Sequence, residues 1–306
     1  MQDVDDLDTN DVQGIARKYR AQGLAVVDRV AAALRSDSRP RVRANAATVL
    51  LDLFYFTGQK DKVRPYLLEA LADLSPDVVS RAADGLAGWF LDDTAVKTAL
   101  ASHVETLRKA TSSSDPIVQA HAVSALEKMG ERPPSASMLR ASNSAIRRRG
   151  IAQALEAHDL TAVPALVDLA RSDPELVVRM EAIPVAAALA APNVRDSLLS
   201  DLVGDPNDGV GNAAIKAAGD TGATTLASKI EAILATPEGN RAAAAVAALG
   251  ALGDTAAVPA ITAHLNDPST DTKWNAKLAL DALVGPARAL PEWQQWARSK
   301  GYLPER

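Results

Sequence analysis

Apolar residues recur along this chain with a helical period and, at longer range, in repeated copies. Aligned on Arg43, Val79, Gln119, Arg148, Arg179, Gly211, Arg241 and Lys273, successive copies lie 36, 40, 29, 31, 32, 30 and 32 residues apart. Three places further on stand Ala46, Ala82, Ala122, Ile151, Ala182, Ala214, Ala244 and Ala276. Seven places on stand Leu50, Leu86, Leu126, Leu155, Ala186, Ala218, Ala248 and Leu280. Apolar positions at +3, +4 and +7 form one face of a helix. Fixed-period self-similarity of this kind is the mark of a repeat architecture.

The punctuation ahead of this helix is also repeated. Ser75-Pro76, Asp115-Pro116, Asp173-Pro174, Asp205-Pro206, Thr236-Pro237 and Asp267-Pro268 all precede an apolar run. A side-chain oxygen there accepts a free N–H of the first helical turn, and proline at the first helical position loses no backbone bond. The pairs therefore predict helix starts, not a recurring catalytic acid. A second amphipathic segment lies between copies, at 61–74, 160–172, 223–235 and 255–266. Pro65, Pro164 and Pro259 sit near its start, where they disturb few bonds. Each copy is thus a helix pair, such pairs stack, and no strand pattern competes.

Composition narrows the picture. The 306 residues are 47% hydrophobic with a mean hydropathy of -0.04, which suits a soluble globular chain. No apolar run has the length of a membrane span. The opening "MQDVDDLDTND" has neither the basic nor the apolar region of a secretory signal, which points to a cytoplasmic protein. Its five aspartates read as a solvated acidic tail. With no cysteine there is no disulfide or thiolate metal site. A formal charge of -5 disfavours a phosphate-backbone binder, which needs a basic face. No aromatic ring occurs between Leu91 and Lys273, so the middle layers close on Ala, Leu, Val and Ile alone.

The chain resembles the HEAT-repeat family, most closely its bacterial HEAT-like (PBS-lyase-type) form. The matching residues are "LTAVPALVDLARSDPELVVR" at 160–179 and "LGDTAAVPAITAHLNDP" at 252–268, with "AAVAALGALGD" at 244–254. The resemblance spans about residues 21–288. It implies an all-α fold, a right-handed α-solenoid of about eight stacked helix pairs. Residues 1–20 would form an acidic tail and cap, and 289–306 a C-terminal capping helix and tail. Pro133-Pro134 cut the first helix of the 131–142 copy short. Pro184, inside a second helix, should kink it.

In this family the second helix of each pair lines the concave binding side. The +1, +2 and +5 columns point away from the core and hold Asn45, Arg81, Asp84 and His121. Arg149, Gln153, Glu181, Asn212, Lys216, Trp274 and Asn275 continue them. Mixed signs and small residues suit a protein segment better than a polyanion. In "AIRRRG" Arg148 is read as part of the repeat's own arginine column, pairing with an acid of a neighbouring copy. Arg147 and Arg149 are either structural or an anion-binding patch. Trp274 is read as packing beneath the capping helix with Trp293 and Trp296, with a groove contact as the alternative.

Catalytic signals are weak. His103, His121, His158 and His264 occupy unrelated positions, and none is followed by Glu as a di-iron HEAT-like hydroxylase would need. Nucleophile-elbow, P-loop, zincin and EF-hand motifs are all missing. The acids of "LDDT" at 91–94 read as a helix N-terminus. Three functions stay in view: a non-catalytic scaffold or adaptor for another protein, a bilin-lyase-like subunit, and a HEAT-like nucleic-acid binder or DNA glycosylase. The first fits the residues best, with no cofactor and no membrane. The partner's identity and the oligomeric state are open.

Overall fold

The computed structural model describes residues 4–235 and 241–304. Among these residues it is helical and contains no strand. Thr236-Pro237, expected to start a helix, lies outside the described residues. None of the described helices is long and apolar enough to cross a membrane. The chain divides into two compact units, residues 1–146 and 147–306.

The N-terminal unit holds α1 (Val12–Arg20), α2 (Val27–Ser36), α3 (Pro40–Phe56), α4 (Arg64–Ala70) and α5 (Pro76–Trp89). It continues through α6 (Thr94–Ala101), α7 (Val104–Ala110), α8 (Pro116–Lys128) and the short α9 (Ser135–Leu139). The boundary falls within α10 (Ser144–Glu156). The C-terminal unit holds α11 (Val163–Ser172), α12 (Leu176–Leu189), α13 (Pro192–Leu202), α14 (Asp208–Thr221) and α15 (Ala227–Leu234). It ends with α16 (Ala242–Leu252), α17 (Val258–Ala263), α18 (Thr270–Leu283) and α19 (Leu290–Ser299).

Both units are built as two layers. The second helices stack in order, α1 on α3, α3 on α5 and α5 on α8 in the first unit. In the other, α12 packs on α14, α14 on α16 and α16 on α18. The first helices form the outer layer through contacts such as α2 with α4 and α15 with α17. The core between the layers is aliphatic: Leu50, Leu86, Leu126, Ile183, Ile215 and Leu280 are each fully or almost fully buried. Burying one such side chain stabilises by about 1.5–3 kcal/mol, so the repeated apolar columns dominate the energetics.

The Asp-Pro pairs act differently from the simple helix start expected of them. Asp115 does cap α8, accepting the N–H of Ile117 at 2.8 Å with Pro116 first in the helix. Asp173, Asp205 and Asp267 make the same bond to the N–H two residues on, from Glu175, Asn207 and Ser269, but outside the helix. Those acceptors close a turn before the helix, which begins at Leu176, Asp208 and Thr270. Proline has no N–H, so the aspartate bonds the residue beyond it and aims the chain into the next helix. Pro65, Pro164 and Pro259 are each second in their helix, as expected.

Two copies shift register by one residue. In α10, Ile151 and Ala154 are buried while Leu155, expected in the core, is 42% exposed. The column position is therefore Arg147, which stands fourth in α10 as Arg43 does in α3. In α16, Ala245 and Leu249 are buried and Ala244 is only half-buried.

The ends are closed by specific contacts. From residue 4 the acidic segment is folded, not a solvated tail; Asp3 lies outside the described residues. Leu7 is fully buried, and Asp6 accepts from Lys18 Nζ and the Tyr19 hydroxyl, both at 2.7 Å. At the other end Trp293 is fully buried, edge-on to Trp296 at 5.1 Å, with its indole N–H donated to Asp281 at 2.7 Å. Trp274 is not in that cluster. It stays 53% exposed beside Lys277, so the expected place under the capping helix is not where it lies. Helix α12 runs through Pro184, which lies exposed.

Candidate functional site

Each unit carries a recess on the exposed side of its second helices. In the N-terminal unit α3, α5 and α8 enclose about 320 Å³. One wall is aromatic: Tyr55 at the end of α3 stacks on Trp89 at the end of α5, centroids 5.6 Å apart and planes 25° apart. The floor is Leu51 and the α5 glycines Gly85 and Gly88. A Cβ on Gly85 would stand 2.8 Å from Leu51, and one on Gly88 would stand 3.3 Å from Lys128 Nζ. Gly88 thus leaves room for Lys128 to lie across α5.

The charged part of the lining is an ionic cluster on Asp84. Its carboxylate accepts Lys128 Nζ at 2.6 Å and the Nδ1–H of His121 at 2.8 Å. Burial alone would raise its pKa, but hydrogen bonds from His121, Lys128 and Ser124 hold it below the ordinary aspartate value. Arg81, deeper and 4% exposed, donates to Asp77 at 2.7 Å and to the Thr48 hydroxyl at 3.2 Å. At the mouth, Arg20 forms a two-bond pair with Asp52 and covers the ring of Phe56 at 3.5 Å. Every charged side chain lining this recess is therefore paired.

The C-terminal recess is larger, about 740 Å³, and carries no ring. Ala243, Ala247 and Ala251 of α16 form its floor, with Met180 and Gly209 at one side. Small residues let the helices approach to backbone contact: a Cβ on Gly219 would stand 3.0 Å from Ala248 Cα, and one on Gly250 2.7 Å from Ala279 Cβ. Lys216 pairs with Asp220 at 2.5 Å in the open. Asn275 donates to the Ala243 carbonyl at 2.9 Å, while the buried Oδ1 of Asn212 has no hydrogen-bond partner among the described residues.

The expected site residues therefore sort into three groups. Arg81, Asp84 and His121 meet in the first recess, and Asn212, Lys216 and Asn275 in the second. Asn45 is a correction: it is fully buried and donates to the carbonyls of Leu7 and Thr9, because the N-terminal segment covers its column. Arg147 is another. Its two-bond pair with Asp173, both 2.7 Å, is buried and matches the Arg43–Asp73 pair of the first unit. The arginine column thus runs through Arg147, while Arg148 makes an exposed pair with Glu181. Arg149, Gln153, Glu181 and Trp274 line neither recess.

Sequence reasoning missed Tyr55, Trp89, Asp52, Gly88, Lys128 and Asp220. Four of these share one signal. Asp52, Gly88, Lys128 and Asp220 stand nine places beyond the column origin, one turn past the +5 position on the same helix face.

No group of three or more His, Asp or Glu side chains among the described residues is arranged to hold a metal ion. Asp93 caps α6 by accepting the N–H groups of Ala95 and Val96, the structural role expected of the "LDDT" acids.

Comparison with known proteins agrees with this architecture. No curated protein matches the chain. Solved structures do. One is YibA of E. coli, at 16% identity and a TM-score of 0.51 over 90% of this chain and 97% of that one. Another is an engineered protein, at 17% identity and a TM-score of 0.48 over 99% of this chain and 93% of that one. A third is human deoxyhypusine hydroxylase in complex with glycerol, at 17% identity and a TM-score of 0.37 over 88% and 99%. The YibA likeness is one of fold. The family model for HEAT repeats matches residues 65–156 and 163–249, more than half of the sequence, and the chain belongs to the HEAT-repeat family.

Proposed function

We propose that the protein is a non-catalytic cytoplasmic scaffold or adaptor that binds another protein along the exposed faces of its second helices. The observation that carries this reading is the origin of the recess walls. In both units part of the lining comes from the +2, +5 and +9 columns of successive second helices, His121, Asp84 and Lys128 in one and Asn275, Lys216 and Asp220 in the other, so within each unit successive repeats add polar and apolar strips to one surface. Such layered surfaces are what stacked helix pairs offer to an extended partner. The cations facing the recesses are consumed by pairing, Arg81 with Asp77, Lys128 with Asp84 and Lys216 with Asp220. A nucleic-acid backbone would need unpaired ones. Arg149, Glu181 and Trp274 belong to the same proposed surface outside the recesses.

The test is capture of partners from host lysate on the immobilised chain, read by mass spectrometry. One stoichiometric protein, lost from a variant carrying Tyr55→Ala and Ala247→Glu, supports the scaffold. Recovery of nucleic acid or pigment with no protein overturns it.

A further inference from the structure

The chemistry of the first recess specifies more than a protein partner in general. We infer that this recess accepts a neutral aromatic side chain carrying a hydrogen-bond donor, a tyrosine or tryptophan in a peptide segment of the partner. The inference rests on the scaffold reading for the source of the ring, but the pocket chemistry stands apart from it.

Three features of the recess support this occupant. The first is charge. Asp52, Asp84 and Arg81 are each held by a protein partner of opposite charge, so an ionic ligand meets charges that are already compensated. An uncharged ring needs no free charge. The second is shape. The stacked Tyr55 and Trp89 offer rings beside the glycine floor of α5, and aromatic groups pack in offset or edge-on geometry against such a wall.

The third is a vacant acceptor. Nδ1 of His121 donates to the Asp84 carboxylate, which can only accept, so Nε2 is the ring nitrogen left to accept a donor when the imidazole is in its neutral form. No hydrogen bond from a described residue reaches that Nε2. A phenol O–H or an indole N–H supplies the missing donor, and a phenylalanine ring does not. The surface outside the recess points to a peptide as the source. Phe56 is 56% exposed and sits edge-on to Tyr55 at 5.1 Å, beneath the Arg20 guanidinium. A free aromatic molecule would fill the recess and leave this ridge bare, whereas a peptide carries further side chains across it.

The experiment titrates the full chain with N-acetyl-tyrosinamide and N-acetyl-phenylalaninamide, followed by saturation-transfer NMR. A phage-displayed random peptide library is selected on the same protein. The expected result is tyrosinamide binding in preference to phenylalaninamide, weakened roughly 2- to 10-fold by Tyr55→Ala, the loss of one aromatic contact. Tyr55 is 59% exposed, so this variant keeps the fold, and circular dichroism confirms it. In His121→Leu the tyrosine-over-phenylalanine preference should vanish while ring binding persists. Selected peptides should carry one Tyr or Trp and bind tighter than the amide.

Binding of neither amide, or binding indifferent to both substitutions, overturns the inference. A free amide that outcompetes every selected peptide overturns the peptide source. A partner captured from lysate equally well by Tyr55→Ala sinks this inference and leaves the scaffold standing. Amide binding intact with no captured protein does the reverse.

Discussion

The two recesses are built on the same frame and teach opposite lessons about it. In the first, the +9 positions are Asp52, Gly88 and Lys128, and rings close the helix ends, so a small volume is walled by paired charges and π surface. In the second, the floor is alanine, rings are absent and the volume is more than twice as large. The glycines differ in the same way. Gly219 and Gly250 let whole helices touch, while Gly88 makes room only for the tip of one lysine. One repeat geometry therefore supports a ring-walled pocket in one unit and a wider, largely apolar recess in the other, and the side chains that line them make the difference.

The buried arginine pairs provide the largest test of this contrast. Arg147→Ala leaves Asp173, whose carboxylate is 1% exposed, without its cation. A loss of about 3–5 kcal/mol is expected, since breaking a buried pair strands a charge. Arg43→Ala should cost less, about 1–3 kcal/mol, because water reaches both members of that pair. Hydrogen exchange in α11–α12 and in α4–α5 reads each effect separately, and equal losses would show the two pairs to be equivalent.

The glycines come next. Gly250→Ala should destabilise by about 1–3 kcal/mol, because its new methyl overlaps Ala279 and α18 has to move. Gly88→Ala should be neutral or stabilising by up to about 1 kcal/mol, since a helical glycine is replaced and only a flexible side-chain tip must yield. Thermal unfolding of both variants measures the opposite signs.

Acid acts on the first recess through Asp84. Its folded carboxyl lies below the ordinary value of 3.8, so its contribution is present above that value and is lost as pH falls through the folded pKa. Asp84→Asn should therefore cost about 1.5–3 kcal/mol at pH 7, the scale of hydrogen bonds to a charged group. The gap to the unsubstituted protein should close as the pH drops below 3.8. A gap that stays constant with pH would remove Asp84's charge from the account. The smallest effect is expected at Lys216→Ala. Its pair with Asp220 is exposed on both sides, and the melting temperature should not change measurably.

Much of this was legible in the residues. The +3 and +7 columns identify the buried face, the first-helix prolines identify the outer layer, and Pro133-Pro134 shortens α9 to five residues. These features are local: they follow from helical periodicity and from proline's missing N–H. The candidate sites were legible only in part. Arg81, Asp84 and His121 share a column face, yet nothing in their spacing shows that Lys128 crosses α5 to join them.

What the sequence determined by itself is the repeated helix pair, because each copy carries its own apolar period and its own turn chemistry. The tertiary structure decided the rest. A one-residue slip moved the column from Arg148 to Arg147, since an offset in a turn costs nothing locally and reveals itself only in what becomes buried. The N-terminal segment took Asn45 out of the surface by folding over it. Arg241 reaches back to the carbonyls of Val203 and Asp205 through the space left by Gly211, whose Cβ would stand 2.8 Å from the guanidinium carbon. Each of these outcomes depends on which residues meet from different copies. Packing sets those meetings, and periodicity within one helix carries no information about them.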